Sequence, residues 1–171
     1  MPRYVALLRG VSPMNAKMPE LKRCFEDAGF GNVRTLLSSG NVVFDSPKRS
    51  ELALARKAEA AMEQSLQRGF WTLVRPAAHL QALLEADPFA PFDLPANTKK
   101  VVTFLREAPP ARLALPLERG GASILAMQGL EIFTAYTPTP GNPAFMALLE
   151  KTFGPGITTR TWDTVKKCAA A

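Results

Sequence analysis

The chain has 171 residues, 47% of them hydrophobic and 21% charged, with a formal net charge of +6. That is enough chain for one full-sized domain or two small ones with a packed core, and no apolar run approaches the roughly 20 residues a membrane span needs. Two cysteines and one histidine exclude a disulfide framework, a Cys-rich zinc site and a His-rich metal cluster.

In MPRYVALLRG, Arg9 interrupts the apolar stretch too early for a secretory segment, so a cytoplasmic location is expected. The first strand is Tyr4–Leu8, and a loop with Gly10, Pro13 and Asn15 leads into an amphipathic helix. Pro19 suits that helix's first turn and Gly29 the position beyond its end. Leu21, Cys24, Phe25 and Ala28 share one face, which makes Cys24 a core residue. Strands at Val33–Leu37 and Asn41–Asp45 flank Ser38-Ser39-Gly40, a hairpin sequence. Ser46-Pro47 reads as the cap and first residue of an Ala-rich helix that stops at Gly69. A strand at Phe70–Arg75 and a helix at Ala78–Ala86 follow, completing a βαββαβ order with one extra helix.

The segment FAPFDLPAN marks the expected boundary, giving units 1–90 and 99–171 with a linker at 91–98. Beyond it, strands are expected at Lys100–Leu105, Ser123–Met127 and Leu130–Tyr136, with Gln128-Gly129 as the turn between the last two. A helix from Pro143 to Thr152, a strand at Ile157–Arg160 and a helix at Trp162–Cys168 close the chain. In this half the Pro-rich REAPPARLALPLERG replaces the first helix. The expected fold class is therefore α+β, two ferredoxin-like units whose shared element order is that of an internal duplication. The central strands are apolar on alternate faces in both directions, so their sheets need cover on both sides. Such a sheet is not the open aromatic platform of an RNA-recognition module, and SGNVVF lacks that module's basic-aromatic signature.

The pI of about 9.6 favours anionic partners, small molecules or nucleic acid, although the excess of positive charge is spread evenly: 12 Lys/Arg against 9 Asp/Glu in residues 1–90, and 9 against 6 in residues 91–171. The loop RGVSPMNAK brings Arg9, Gly10, Asn15 and Lys17 to a helix start, where backbone N–H groups suit an anion. No glycine-rich nucleotide fingerprint occurs, and no cofactor or metal is expected. Ser39, Gly40 and Asn41 offer a hydroxyl and an amide at the hairpin tip, but turn formation explains the same residues, and Ser39 has no nearby base to make it a nucleophile. His79, at a helix start, reads as a surface or capping residue. ITTRTWDTVKK gathers Arg160, Trp162, Thr164 and Lys166, a set that grips an aromatic or anionic ligand or else anchors the last helix.

YVALLRGV, MPELKRCFEDAGFGNVRT and SSGNVVFDS resemble the amino-terminal half of the family known as domain of unknown function 1697; VRPAAHLQALLEADPF resembles it more weakly, and LLEKTFG and TTRTWDTVKK do so near the end. The resemblance implies an α+β fold of two ferredoxin-like subdomains, a bacterial distribution and no established activity. Where relatives carry a longer Gly-Gly-Lys-Asn type loop, this chain has Ser12-Pro13-Met14-Asn15, and where they carry Ser-Lys it has Asn142-Pro143-Ala144-Phe145. The matching positions Arg9, Gly10, Ser39, Gly40, Asn41, Arg160, Trp162 and Thr164 stand in loops or at strand ends, where scaffolds mount function.

Three functions are compatible with these residues. The first is non-catalytic binding of an anionic small molecule or nucleic acid. The second is an enzyme on a phosphorylated or carboxylated metabolite, with Arg9 and Arg160 holding charge and Ser39 or Asn41 polarising the substrate. The third is a structural protein, a homo-oligomer whose contact buries the sheet faces.

Overall fold

The computed structural model describes residues 1–37, 40–108, 114–138 and 144–171, the side chain of Ala144 excepted. The chain divides into two compact units, Met1–Glu85 with Lys166–Ala171, and Ala86–Val165. The segment after Ala86 groups with the second unit, where Phe89 is buried edge-on to Phe133 and Trp162. The end of the last helix belongs to the first unit.

The first unit contains β1 (Arg3–Leu8), α1 (Met18–Asp27), β2 (Gly31–Leu36), β3 (Asn41–Asp45), α2 (Glu51–Leu66), β4 (Thr72–Pro76) and α3 (Ala77–Ala86), the last of which ends across the division. Its antiparallel sheet has the order β2-β3-β1-β4. Tyr4, Ala6, Leu8, Val42 and Phe44 meet Leu21, Cys24, Phe25, Leu54 and Met62 in one core, so α1 and α2 cover that face. Val5, Leu7 and Val43 point the other way and are equally buried. Neither face of the central strands is an open platform; Tyr4 and Phe44 stack on each other, 5.8 Å between ring centroids.

Helix α2 starts later than the Ser46-Pro47 reading. The Ser46 amide donates to the Pro2 carbonyl and so continues the sheet, and Ser50 is the cap, its side chain accepting from the Ala53 amide. Both serines can cap; pairing with the chain's first residues decides between them.

The second unit contains β5 (Lys99–Leu105), β6 (Leu117–Arg119), β7 (Ala122–Gln128), β8 (Glu131–Tyr136), α4 (Ala144–Phe153), β9 (Ile157–Thr161) and the start of α5 (Trp162–Ala170). Its antiparallel sheet has the order β6-β7-β8-β5-β9. Without β6, that order repeats the first sheet, β5 standing where β1 stands. Leu105, Ile124, Ile132 and Ile157 pack with Leu148 and Leu149, so α4 covers one face. The β7–β8 turn is Gly129-Leu130, one residue later than expected, since Gln128 pairs with Glu131. Strand β6 was not anticipated in the Pro-rich stretch. The expected hairpin tip at Ser38-Ser39 and the helix start at Pro143 lie outside the described residues. Among the described residues, no helix is long and apolar enough to cross a membrane.

Candidate functional site

One end of the first sheet brings together Arg9, Gly10, Asn15, Gly40 and Asn41. The Leu8 amide donates to the Gly40 carbonyl at 2.9 Å and the Arg9 amide to the Trp71 carbonyl at 2.8 Å, so β1, β3 and β4 meet there. The loop after β1 satisfies itself. Asn15 Nδ2 donates to the Gly10 carbonyl at 2.8 Å, the Ser12 amide to Asn15 Oδ1 at 2.9 Å, and the Met14 amide to Ser12 Oγ at 3.2 Å. The amides of Asn15 and Ala16 both donate to the Ser12 carbonyl. These donors are consequently engaged inside the loop. Lys17 is exposed at the start of α1, and its side chain makes no capping bond.

Gly40 has φ +88°, and a Cβ built there would lie 2.9 Å from Val11 Cβ and 3.0 Å from Leu8 Cβ. Only glycine permits both that backbone and that approach. Asn41 is fully buried, and its Nδ2 donates to the Leu36 carbonyl at 3.0 Å, closing the hairpin. Ser39 lies outside the described residues.

The carboxy-terminal candidates are in the second unit, apart from Lys166. Arg160 sits on the sheet face away from α4, paired with Val102, and is 8% exposed. Its Nη1 donates to Thr158 Oγ1 at 2.9 Å and to the Thr159 carbonyl at 2.7 Å. Trp162 is buried edge-on to Phe89, with centroids 5.2 Å apart. The Thr164 amide donates to Thr161 Oγ1 at 3.3 Å, and the two hydroxyls are 3.0 Å apart, a cap for α5. Lys166 is exposed in the first unit. Arg9 and Arg160 belong to different units.

Two concavities were invisible in the sequence. In the first unit a groove of about 280 Å³ is lined by Arg34, Leu36, Leu37, Lys167, Ala170 and Ala171. Arg34 and Lys167 are exposed and have no acidic or hydrogen-bonding side-chain partner among the described residues. In the second unit a cleft of about 480 Å³ lies between the segment Phe92–Thr98, the β6–β7 turn and the ends of β7 and β8.

Beside the groove, Arg3 ties three segments together. Its Nη1 is 2.8 Å from Asp45 Oδ1 and its Nε donates to the Ala171 carbonyl at 2.9 Å, while Asn32 Nδ2 donates to Asp45 Oδ2 at 2.7 Å. The bonds from Asn32 and then Arg3 hold the Asp45 carboxyl below the usual carboxylate range. Cys24 packs in the first unit's core, where burial pushes its thiol up despite a hydrogen bond with Ser65. Among the described residues no group of His, Cys, Asp and Glu is placed to hold a metal ion.

The model of the family described as Protein of unknown function (DUF1697) matches residues 1–133, from β1 into β8. The chain belongs to this family. The match ends before α4, β9 and α5, so it covers Arg9, Gly10, Gly40 and Asn41 and leaves out Arg160, Trp162 and Thr164. No curated protein matches. Among solved structures, the conserved bacterial protein SP0830 from Streptococcus pneumoniae is similar, with 22% identity, a TM-score of 0.66, and coverage of 99% of this chain and 97% of that one. At that identity the likeness establishes a shared fold.

Proposed function

We propose that this member of the family is a non-catalytic binding protein for a small anionic molecule. The observation that carries the reading is the groove of the first unit. There Arg34 from β2 and Lys167 from α5 bring two unpaired cations to an apolar floor of Leu36, Leu37 and Ala170. Lys166 adds to the positive field beside it. At about 280 Å³ the groove suits a carboxylate or phosphate with a short apolar tail. Nucleic acid, the other anionic partner, would need a longer basic track. The enzyme alternative rests on Arg9 and Arg160 for charge and Ser39 or Asn41 for polarisation; of these, Asn41 and Arg160 have polar atoms engaged within the fold.

The same reading includes a finer view of the architecture. The repeated strand order supports two ferredoxin-like units related by internal duplication, the second having exchanged its first helix for β6. A bacterial cytoplasmic setting accords with two buried cysteines that are not joined in a disulfide.

The test is calorimetric titration of hexyl phosphate into the full chain and into the doubly substituted Arg34→Glu, Lys167→Glu protein. Binding that weakens about a hundredfold on charge reversal is expected, since each charge-assisted contact is worth about 1.5–3 kcal/mol. Equal affinity in both proteins, or tighter binding of a labelled single-stranded oligonucleotide that persists in the variant, would count against the reading.

A further inference from the structure

We infer that the cleft in the second unit is a separate ligand site, and that it takes a small zwitterion: a free amino acid or short peptide with an apolar side chain. This goes beyond the anion groove and does not rest on it, because the two sites share no residue and differ in charge.

The site follows from how the second sheet is covered. Ala122 and Ile124 face α4, so alternation turns Ser123 to the opposite face, next to its partner Ala135. Phe89 packs edge-on to Phe133 on that face, with Trp162 against Phe89, whereas farther along the strands Ser123, Leu125 and Ala135 line the cleft. The segment from Phe92 to Thr98 forms the wall. The β6–β7 turn forms the rim, with Gly120 and Gly121 at φ +58° and +85°; a Cβ at Gly121 would meet nothing within 4 Å. The volume of about 480 Å³ falls in the range of small-ligand sites, about 300–1,000 Å³.

Its chemistry selects the ligand. Arg119 lines the cleft together with Asp93 and Glu118, and none of the three side chains has a hydrogen-bonding or ionic partner among the described residues. Two carboxylates repel a polyanion, and the guanidinium repels a simple cation. A molecule bearing one carboxylate and one ammonium satisfies both sets. Phe92 and Leu125 supply an apolar surface for a side chain. Thr98 also lines the cleft, and its hydroxyl is buried with no hydrogen-bond partner among the described residues. A fold retains such an orphan at a cost, and a ligand polar group is a partner that would relieve it.

The experiment is amide-resolved NMR titration of the full chain with three probes: the dipeptide Leu-Phe, its N-acetyl form, which lacks the ammonium, and its amide, which lacks the carboxylate. Saturable shifts at Thr98, Gly120, Gly121 and Ser123 are expected with Leu-Phe, and about tenfold weaker binding of each blocked form. Arg119→Ala is exposed at a strand end and should leave the spectrum otherwise intact. It should weaken Leu-Phe about tenfold while leaving the amide form unchanged. The pair Asp93→Asn, Glu118→Gln should abolish the preference over the N-acetyl form. The inference is overturned by an absence of saturable shifts with all three probes up to about 10 mM, by equal affinity for the three, or by shifts that Arg119→Ala does not alter. Loss of binding in the Arg34→Glu, Lys167→Glu protein would likewise overturn it, by showing a single site in the first unit.

Discussion

Substituting Gly40 by alanine tests the packing that holds the loop after β1 against the hairpin. Two penalties act together at that position. The left-handed backbone costs an L-residue about 1–2 kcal/mol. The added methyl would also stand 2.9 Å from Val11 Cβ and 3.0 Å from Leu8 Cβ, both short, stiff side-chain atoms next to the backbone. Forcing such a methylene into a packed region costs about 1–3 kcal/mol. The lower entropy of the unfolded alanine chain returns about 0.4–1 kcal/mol. The net loss is therefore about 2–4 kcal/mol. Gly10→Ala is the matched control: φ there is +81°, yet nothing lies within 4 Å of the new methyl, so only the backbone strain remains and the loss is about 1 kcal/mol. With a urea slope of about 2 kcal/mol/M, the Gly40 variant should unfold about 1–2 M earlier than the wild type and the Gly10 variant about 0.5 M earlier. Circular dichroism in urea measures both. Equal midpoints for the two variants would refute the close approach.

Three further outcomes follow from single contacts. Because the folded Asp45 carboxyl titrates below its ordinary value, its contribution is present above about pH 4 and is lost as pH falls through the folded value. The stability advantage of wild type over Asp45→Asn should then be flat from about pH 7 to 5 and shrink in acid; an advantage that grows in acid would contradict the Arg3 and Asn32 bonds. Trp162→Ala should cost about 3–5 kcal/mol in urea unfolding, as expected for a buried aromatic anchor, and a loss under about 1 kcal/mol would return Trp162 to the ligand-binding candidates. Thr103 is buried in β5 with a hydroxyl that has no partner among the described residues, so Thr103→Val should raise stability by about 1 kcal/mol; a lowered urea midpoint would show that the hydroxyl is bonded.

Much of the fold was legible because burial leaves a periodic trace. Val5, Leu7 and Val43 alternate with Tyr4, Ala6, Val42 and Phe44, and both sets are buried, which marks β1 and β3 as central strands. Leu21, Cys24 and Phe25 likewise gave the inner face of α1. Strand β6 left no such trace, since Leu117, Glu118 and Arg119 are all exposed and form one short edge. The start of α2 turned on a contact with Pro2, which no local pattern encodes. The candidate residues were harder still. Asn15, Asn41 and Arg160 carry the polar groups that binding requires, but such groups also staple loops and strand ends, and here they do so. The cations of the groove, Arg34 and Lys167, stand far apart in the chain, and the cleft residues sit in a segment that reads as a linker. Neither convergence has a sequence signal.

The account depends on the central strands of both sheets being closed to solvent, which leaves ligands only the rims, the grooves and the cleft at one end of the second sheet. Line broadening of side-chain methyl resonances by a soluble gadolinium chelate measures this directly. Met14, Leu37 and Met146, at 94%, 47% and 39% exposure, should broaden strongly. The methyls of Val5, Leu7, Val42 and Val43 in the first sheet, and of Val102 and Ile132 in the second, should keep their line widths. Broadening of Val5, Leu7 and Val43 to the extent seen at Met14 would contradict the account and expose a sheet face as a binding platform.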